Sequence, residues 1–306
     1  MSESIDSHAT VREVLDRLAG ESIAALRSSG AGRLLQPPQH GGLGLPADEF
    51  VWAVCELAAV SGSLGWLAAT HNAAAHEVAC LGPQAAQEVW DANPDALIAL
   101  THRGSGDLQD GRLTGRWKSV VGAQQSDWLL LSAGRASRVL VSRSRVRVED
   151  FDGAAGLRAA GIGEVSVDDL AVDDRLVFTG QGDVGLIAGA GAAAAVVGSA
   201  DGVWRKHVDQ VRARLDFSYG GYEVTDEAAA EVARAASDID AAKLQIAGAL
   251  DPVTPTPRAF GQAVARARGA ADRLLASSRH ALDGADPVSG LWRDVHAGCR
   301  LAVQFL

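Results

Sequence analysis

The spacing of apolar residues changes twice along the chain, and this order limits the fold more than any other sequence feature. From residue 11 to about residue 90, apolar residues recur with helical spacing. Short runs of β-branched or alternating residues follow up to residue 178, and helical spacing returns after residue 183. The order predicts an α+β fold that is mostly α. The three predicted domains are an N-terminal helical domain (1–95), a central antiparallel β-barrel or sheet (96–182) and a C-terminal four-helix bundle (183–306).

Charge and hydropathy narrow the classes of partner. A formal charge of −10 at pH 7 argues against a nucleic-acid surface, because neutralising phosphates requires clustered lysines and arginines. The run from Val184 to Ala200 is uncharged, but it consists largely of Ala and Gly and is shorter than the ~20 apolar residues that span a bilayer. We therefore expect no nucleic acid and no membrane as a partner. Five arginines do cluster in an alternating pattern that predicts a solvated strand face: Arg135, Arg138, Arg143, Arg145 and Arg147.

The cysteines and histidines do not form a metal-binding pattern. Cys55, Cys80 and Cys299 are widely spaced and odd in number, so they predict neither a disulfide framework nor a zinc site. His71 and His76 are five residues apart, whereas a spacing of four aligns two ligands on a helix. The N-terminal segment also lacks the basic and apolar regions of a signal peptide. We expect no metal ion and a cytoplasmic location.

The segment DPVSGLWRDVHAGCRLAVQFL, residues 286–306, predicts a well-defined final helix. Asp286 is suited to accept backbone N–H bonds as the N-cap, and Pro287 fits the first helical position. At about 100° per residue, one face of this helix gathers an apolar stripe that also carries a histidine. Its members are Trp292, Val295, His296, Cys299 and Val303.

Five segments occur in a fixed order along the chain. They are LLQPPQHGGLGL, SGSLGWLAATH, DGRLTGRWKSVVGAQQSDWLLLSA, GLRAAGIGEVSVDDLAV and DPVSGLWRDVHAG. Together they resemble the acyl-CoA dehydrogenase superfamily, especially its branch of flavin-dependent monooxygenases that hydroxylate aromatic or polyketide substrates. The resemblance implies the three domains named above and a homo-oligomer, a dimer or tetramer, formed through the bundle. It also implies FAD or FMN as the cofactor, bound between the β-domain and the bundle.

The resemblance assigns cofactor contacts to particular residues. In relatives a Ser or Thr that follows the GRW motif binds near flavin N5, where a small hydrogen-bonding group tunes the chemistry. The matching position here is Val121, which cannot make that bond, and a shifted register would present Ser119 instead. The other expected cofactor contacts are Trp117 of the GRW motif, Arg158, Arg214 and Arg293. Arg214 would reach the flavin of a neighbouring subunit. For Arg293 the structural alternative is an ion pair with Asp294.

The catalytic positions of the family are altered. The general base of the dehydrogenases would lie at Ala302, and the histidine common in the monooxygenases would lie at Leu301. Three histidines remain as catalytic candidates. His71 lies on the helix that borders the substrate in relatives, and His102 lies where relatives contact flavin or substrate. His296 lies on the final helix, where it is either a packed, hydrogen-bonded residue or a catalytic one.

Two functions from different classes follow. The first is an acyl-CoA dehydrogenase-like flavin-dependent oxidoreductase that acts on an acyl-CoA or on an aromatic or polyketide substrate, with a flavin reductase or a paralogous subunit as partner. The alternative is a flavin-poor, non-catalytic or repurposed member, for example one subunit of a heteromer. The residues at Val121, Leu301 and Ala302 favour the alternative, as does the shortened β-domain near SAGRASRVLVS. A non-redox enzyme that uses the same cavity is a third option.

Overall fold

The computed structural model follows the predicted order of helices, strands and helices. It describes residues 2–20, 22–101, 106–134, 137–151, 155–179, 184–217, 224–251, 256–276 and 283–306. His102 and Arg135 lie outside the described residues.

Helices make up the first part of the chain. Ser22 caps α2 by accepting the Ala25 N–H, and Gly30 ends that helix with a φ of 88° that a glycine adopts without strain. The turn from α4 into α5 uses Pro83 at the first helical position. The helices are α1 (Ser2–Asp16), α2 (Ile23–Ser29), α3 (Ala47–Val60), α4 (Gly62–Leu81) and α5 (Pro83–Trp90).

The described central strands form two sheets. The strands are β1 (Ile98–Leu100), β2 (Asp107–Gln109), β3 (Arg112–Val120), β4 (Trp128–Ala133), β5 (Ser137–Ser142), β6 (Arg147–Asp150), β7 (Gly163–Ala171) and β8 (Val177–Thr179). One sheet has the order β1-β4-β5-β8 and the other β2-β3-β7-β6. Residues from both sheets pack into one core around Trp117, Leu129 and Val165.

The central region is therefore a pair of sheets, and the described strands form no closed barrel. The outer strand at each end of each sheet pairs on one side only, so both sheets stay open. The expectation of antiparallel pairing is correct for every sheet neighbour but one, because β1 runs parallel to β4. Parallel neighbours require a long connection between the two strands. The segment between β1 and β4 supplies it, because it contains β2 and β3 of the other sheet.

In the described part of the chain, four helices follow the strands, namely α6 (Val184–Phe217), α7 (Asp226–Ala249), α8 (Arg258–Ala276) and α9 (Pro287–Ala302). Helix α6 contacts α7, α8 and α9 as well as α3 and α4. Small residues make this close packing feasible, since a Cβ at Gly198 would overlap the carbonyl oxygen of Cys55 on α3. By length and composition Gly185–Phe217 would suffice to cross a membrane, but 94% of its most apolar window is buried inside the protein. It is the buried helix that the sequence predicts.

The start of α9 is confirmed. The Asp286 Oδ1 accepts the backbone N–H groups of Val288 and Ser289 at 2.8 and 3.3 Å, and Pro287 occupies the first turn. This cap satisfies two donors that a helix leaves open at its N-terminus.

A buried ion pair joins helix α4 to the first sheet. The Arg138 Nε donates to the Glu77 carboxylate, whose side chain is only 1% exposed, and Arg138 Nη1 donates to the Thr101 carbonyl oxygen at 3.0 Å. The prediction of a solvated strand face is therefore wrong for Arg138, although Arg145 and Arg147 are exposed. Burial raises the pKa of the Glu77 carboxyl, and the Arg138 charge opposes that shift.

We expect Arg138→Ala to lower the free energy of unfolding by about 3 to 5 kcal/mol, because it leaves a carboxylate buried without its partner. Urea denaturation at neutral pH measures the effect. The matched control is Arg147→Ala, which removes an exposed pair with Glu149 and should cost no more than about 1 kcal/mol. Equal losses in the two variants would contradict a special role for the buried pair.

Candidate functional site

A cleft of about 970 Å³ lies where the strand region meets α9. One wall comes from the strand region, from the end of β3 and the segments around β6 and β7. The other wall is α9, the residues that follow it, and one side chain of α8. The lining residues are Ser119, Phe151, Ala155, Gly156 and Ile162 on the first wall, and Arg268, Trp292, Arg293, His296, Ala297, Cys299, Arg300, Leu301, Val303 and Gln304 on the second.

Irregular backbone at the end of β3 puts Ser119 on the cleft. The pairing of β3 with β7 shifts register between Trp117 and Val120, and Ser119 takes a φ of 55°, which non-glycine residues rarely adopt. Val121, two residues later, is 2% exposed in the protein core and does not line the cleft. The local shift therefore presents the serine hydroxyl at this position of the strand.

Three arginines give the cleft a positive lining. They are Arg268, Arg293 and Arg300, and within the described part of the chain no Asp or Glu lines the cleft. The Arg293 Nη2 donates to the Gly284 carbonyl oxygen at 2.8 Å, so this side chain is partly fixed. The cleft thus combines cationic groups with apolar surface from Ile162 and Leu301. Such a lining suits a ligand that has a flat apolar body and an anionic group.

Asp272 of α8 links two α9 residues that line the cleft. Its Oδ1 accepts the Trp292 Nε1–H at 2.8 Å and lies 2.7 Å from the His296 Nε2. The rings of Trp292 and His296 are 4.3 Å apart. Burial acts to raise the pKa of the Asp272 carboxyl, but the hydrogen bonds from His296 and Trp292 outweigh it, so the pKa is lower than usual. Asp272 is therefore ionised at neutral pH.

Helix α9 also holds the segment that begins the first wall. The Asp294 Oδ1 accepts the Leu157 N–H at 2.6 Å, and a Cβ at Gly156 would overlap the Arg293 carbonyl oxygen. On the other side, the Ser63 Oγ accepts the Ala159 N–H at 3.2 Å. The glycine therefore allows this loop to lie directly on α9.

Arg158 and Arg293 share a second, smaller cleft. Its volume is about 230 Å³, and it lies beside the first one, with Arg293 lining both. Arg158 is exposed, so its side chain has access to a ligand in this smaller space. Its expected cofactor contact stays a prediction.

Three other predicted site residues do not line the large cleft. His71 is 1% exposed, and its Nδ1 lies 2.8 Å from the Ile98 carbonyl oxygen. Trp117 is buried, and its Nε1 donates to the Ser132 carbonyl oxygen at 3.0 Å. Arg214, on α6, donates to the Gln210 carbonyl oxygen at 3.2 Å. The cleft thus brings together Ser119, Arg293, His296 and Leu301 from the sequence-based set.

Sequence reasoning missed Asp272 and Arg268. Both lie on α8, four residues apart, and their side chains are 3.7 Å apart. The i, i+4 spacing signals a helical ion pair. What the sequence does not reveal is that α8 packs against α9 with Asp272 facing the Trp292–His296 pair.

The described residues contain no group of three or more His, Cys, Asp or Glu side chains that could hold a metal ion. Within them, Cys55 is buried, Cys80 is exposed, Cys299 is intermediate, and all three are free thiols.

Comparisons with known proteins match this architecture. A family model described as the C-terminal domain of acyl-CoA dehydrogenase matches residues 190–304. The chain is 30% identical over 335 residues to HsaA, the oxygenase subunit of a flavin-dependent monooxygenase of Rhodococcus jostii (strain RHA1), covering 94% of this chain and 88% of that protein. It is 32% identical over 186 residues to the oxygenase component of the FADH(2)-dependent resorcinol hydroxylase of Rhizobium sp. (strain MTP-10005), covering 56% of this chain and 46% of the other.

A solved structure extends the similarity to the whole fold. The crystal structure of 3-HSA hydroxylase from Rhodococcus sp. RHA1 superposes with a TM-score of 0.82 at 27% sequence identity. The superposition covers 97% of this chain and 92% of that one.

Burial of His71 predicts a pH-dependent stability. Burial lowers the pKa of His71 to about 4 from 6.5, although its hydrogen bond to Ile98 opposes the shift. Between these values the unfolded chain binds a proton that the folded chain excludes, so stability falls as pH falls through this window. The slope that His71 adds should approach about 1.4 kcal/mol per pH unit.

Urea unfolding at a series of pH values from 4 to 7 tests the His71 contribution. His71→Gln keeps a donor for Ile98 but cannot titrate, so the difference between wild-type and variant slopes isolates this residue. Parallel curves across the window would show that His71 does not resist protonation.

Proposed function

We propose that this chain, which belongs to the acyl-CoA dehydrogenase-like family of flavin-dependent monooxygenase oxygenase subunits, hydroxylates an aromatic substrate with dioxygen and a reduced flavin. It is an oxidoreductase of that family. The observation that carries the proposal is the cleft between the strand region and α9, where a serine hydroxyl, apolar surface and three arginines face one volume.

The residues of the cleft fit a flavin. A volume of about 970 Å³ lies within the range of cofactor sites. Trp292, Ile162 and Leu301 offer apolar surface for a ring system, Ser119 offers a hydrogen bond to its edge, and the arginines can neutralise a phosphate. A reduced flavin, when bound, supplies the electrons that activate dioxygen. FAD and FMN share the ring and a phosphate, and we propose FAD as the first choice because the similar resorcinol hydroxylase is named as FADH(2)-dependent.

The lining of the cleft favours the monooxygenase reaction over acyl-CoA dehydrogenation. Abstraction of an α-proton requires a base within reach of the substrate, commonly a carboxylate in this fold. The described residues that line the cleft include no carboxylate, and the expected position, Ala302, is buried with a methyl side chain. A hydroxylation does not need such a carboxylate. An acyl-CoA substrate is therefore the weaker candidate.

We extend the proposal to assembly and location. We propose the three domains 1–95, 96–182 and 183–306, and the contacts among α6 to α9 support a four-helix bundle in the third. A homo-oligomer is supported by large apolar side chains that stay exposed on this region, with Phe217 at 83% and Leu244 at 73%. The term oxygenase subunit in the relatives' names supports a separate flavin reductase as partner. We propose a cytoplasmic location.

The proposal is tested with purified protein, an unrelated NADH-dependent flavin reductase and a panel of phenols. We expect FADH2 or reduced FMN to raise the Tm under anaerobic conditions, because a ligand of the folded state stabilises it. With air, oxygen uptake should be coupled to a product that gains one oxygen atom. If neither reduced flavin shifts the Tm and no phenol is hydroxylated, the flavin-poor alternative replaces this function.

Two single substitutions test which residue faces the flavin. Ser119→Ala should weaken binding of the reduced flavin by roughly threefold to tenfold, as expected for the loss of one hydrogen bond. Val121→Ser should leave flavin binding unchanged and lower the Tm, because it places a hydroxyl in the protein core. Anaerobic fluorescence titration measures both affinities. Tighter binding in Val121→Ser would show that the flavin contacts Val121 and that Ser119 is incidental.

A further inference from the structure

We propose that Asp272 positions His296 as the proton acceptor for a phenolic substrate in the cleft, a role that rests on the proposed function. The two side chains come from different helices. The Asp272 Oδ1 lies 2.7 Å from the His296 Nε2, and the same oxygen accepts the Trp292 indole N–H at 2.8 Å. His296 lines the cleft of about 970 Å³, and its side chain is 29% exposed.

The contact with Asp272 fixes the tautomer of His296. An ionised carboxylate only accepts hydrogen bonds, so the His296 Nε2 must carry the proton that joins the two groups. In the neutral ring the other nitrogen, Nδ1, then carries the lone pair. His296 Nδ1 makes no hydrogen bond to the described part of the chain. The ring therefore keeps one basic nitrogen available on a residue that borders the cleft.

Among the described residues that line the cleft, His296 is the one group suited to proton transfer. The arginines there remain protonated and cannot act as bases. Burial raises the pKa of the Cys299 thiol to about 11, so that thiol holds its proton at neutral pH. Ser119 has only an alcohol group, which is not basic enough to accept a phenolic proton. None of the described lining residues carries a carboxylate.

The proton transfer follows from this arrangement. The phenol O–H bond breaks, its electron pair stays on the phenolate oxygen, and the proton forms a new N–H bond at His296 Nδ1. The resulting imidazolium is stabilised by the Asp272 carboxylate at Nε2, as a charge-assisted hydrogen bond. The phenolate is a more electron-rich ring than the phenol, which favours attack on an electrophilic oxygen. Solvent later accepts the proton from the imidazolium.

The sequence position agrees with a relocation of function within α9. Leu301, where the resemblance places a histidine, also lines the cleft, and His296 lies five residues earlier on the same helix. Five residues on a helix are about 7.5 Å along the axis, and both side chains line the same cleft. Asp272 supplies the alignment that a relocated histidine needs.

The first test uses the full chain and 4-nitrophenol, alone and with the reduced flavin under anaerobic conditions. At a pH where the free phenol is mainly protonated, wild-type protein should increase the visible absorbance of the phenolate. Asp272→Asn and His296→Gln should lose this increase. Asn keeps an oxygen that can accept the same hydrogen bonds, so the helices stay joined while the charge is removed. A phenolate signal that is equal in all three proteins would overturn the proposal.

The second test follows flavin-coupled hydroxylation of a phenol. The kcat of both variants should fall by about 100-fold, the lower range for loss of acid–base catalysis, while the KM for the phenol changes less than threefold. A purely structural role of Asp272 would instead lower the Tm and leave kcat intact, which refutes the assignment. The matched control is Asp238→Asn, which disrupts the pairing of Asp238 with Arg266 and Arg273 away from the cleft. Its kcat should equal that of wild type.

The two tests separate the proposals. If no phenol is hydroxylated by wild-type protein but the phenolate signal depends on Asp272 and His296, the proton acceptor is supported and the proposed reaction fails. If hydroxylation occurs with unchanged kcat in both variants, the reaction is supported and the acceptor is wrong.

Discussion

Close contact between α6 and the N-terminal helices is the interaction on which the rest of the structure depends. Helix α6 contacts α3 and α4 on one side and α7, α8 and α9 on the other. At Gly198 and Gly202 the backbone of α3 lies where a Cβ would be. Burial of such a long Ala- and Gly-rich helix is favourable only if its neighbours approach this closely, because small side chains offer little area each. The first and last parts of the chain are thereby fixed relative to each other.

The position of the cleft depends on this fixed arrangement of the first and last parts of the chain. Helix α9 packs on α6, and its Asp294 binds the backbone of Leu157 in the strand region. The strand region is also attached to the N-terminal helices, because Arg138 of β5 pairs with the buried Glu77 of α4. The walls of the cleft therefore belong to different parts of the chain, and the hydrogen bond of Asp294 to Leu157 joins them.

The sequence predicts the elements that depend on local rules and misses those that depend on tertiary contacts. The cap formed by Asp286 and Pro287 is visible in the sequence, because the residues that satisfy the first helical turn are adjacent in the chain. The sequence names Ser119 only as the alternative to Val121, because the register shift that places it on the cleft is a property of the β3–β7 pairing. Asp272 has a local signal only toward Arg268, and its partners lie on another helix.

The open form of the two sheets has a similar explanation. Strand length and turn residues predict which strands are neighbours. Whether the strands close into a barrel depends on which edge strands pair, and the alternation of apolar and polar residues does not encode that pairing. Parallel pairing of β1 with β4 connects residues that are far apart in sequence. His102, the remaining catalytic candidate, lies in the segment between β1 and β2 that is outside the described residues.

The turn at Gly122 has an evolutionary consequence. Its φ is 73°, and a Cβ there would be 2.8 Å from Cε1 and 2.9 Å from Nε2 of His71. An ordinary side chain at position 122 is thus opposed both by its own backbone and by an imidazole from another helix. Replacement of His71 by a smaller residue removes the contact with the imidazole but leaves the backbone strain at position 122. A residue larger than histidine at position 71 cannot be accommodated unless the turn at Gly122 moves. The two positions should therefore change in a set order during divergence, with the helix residue shrinking before the glycine is lost.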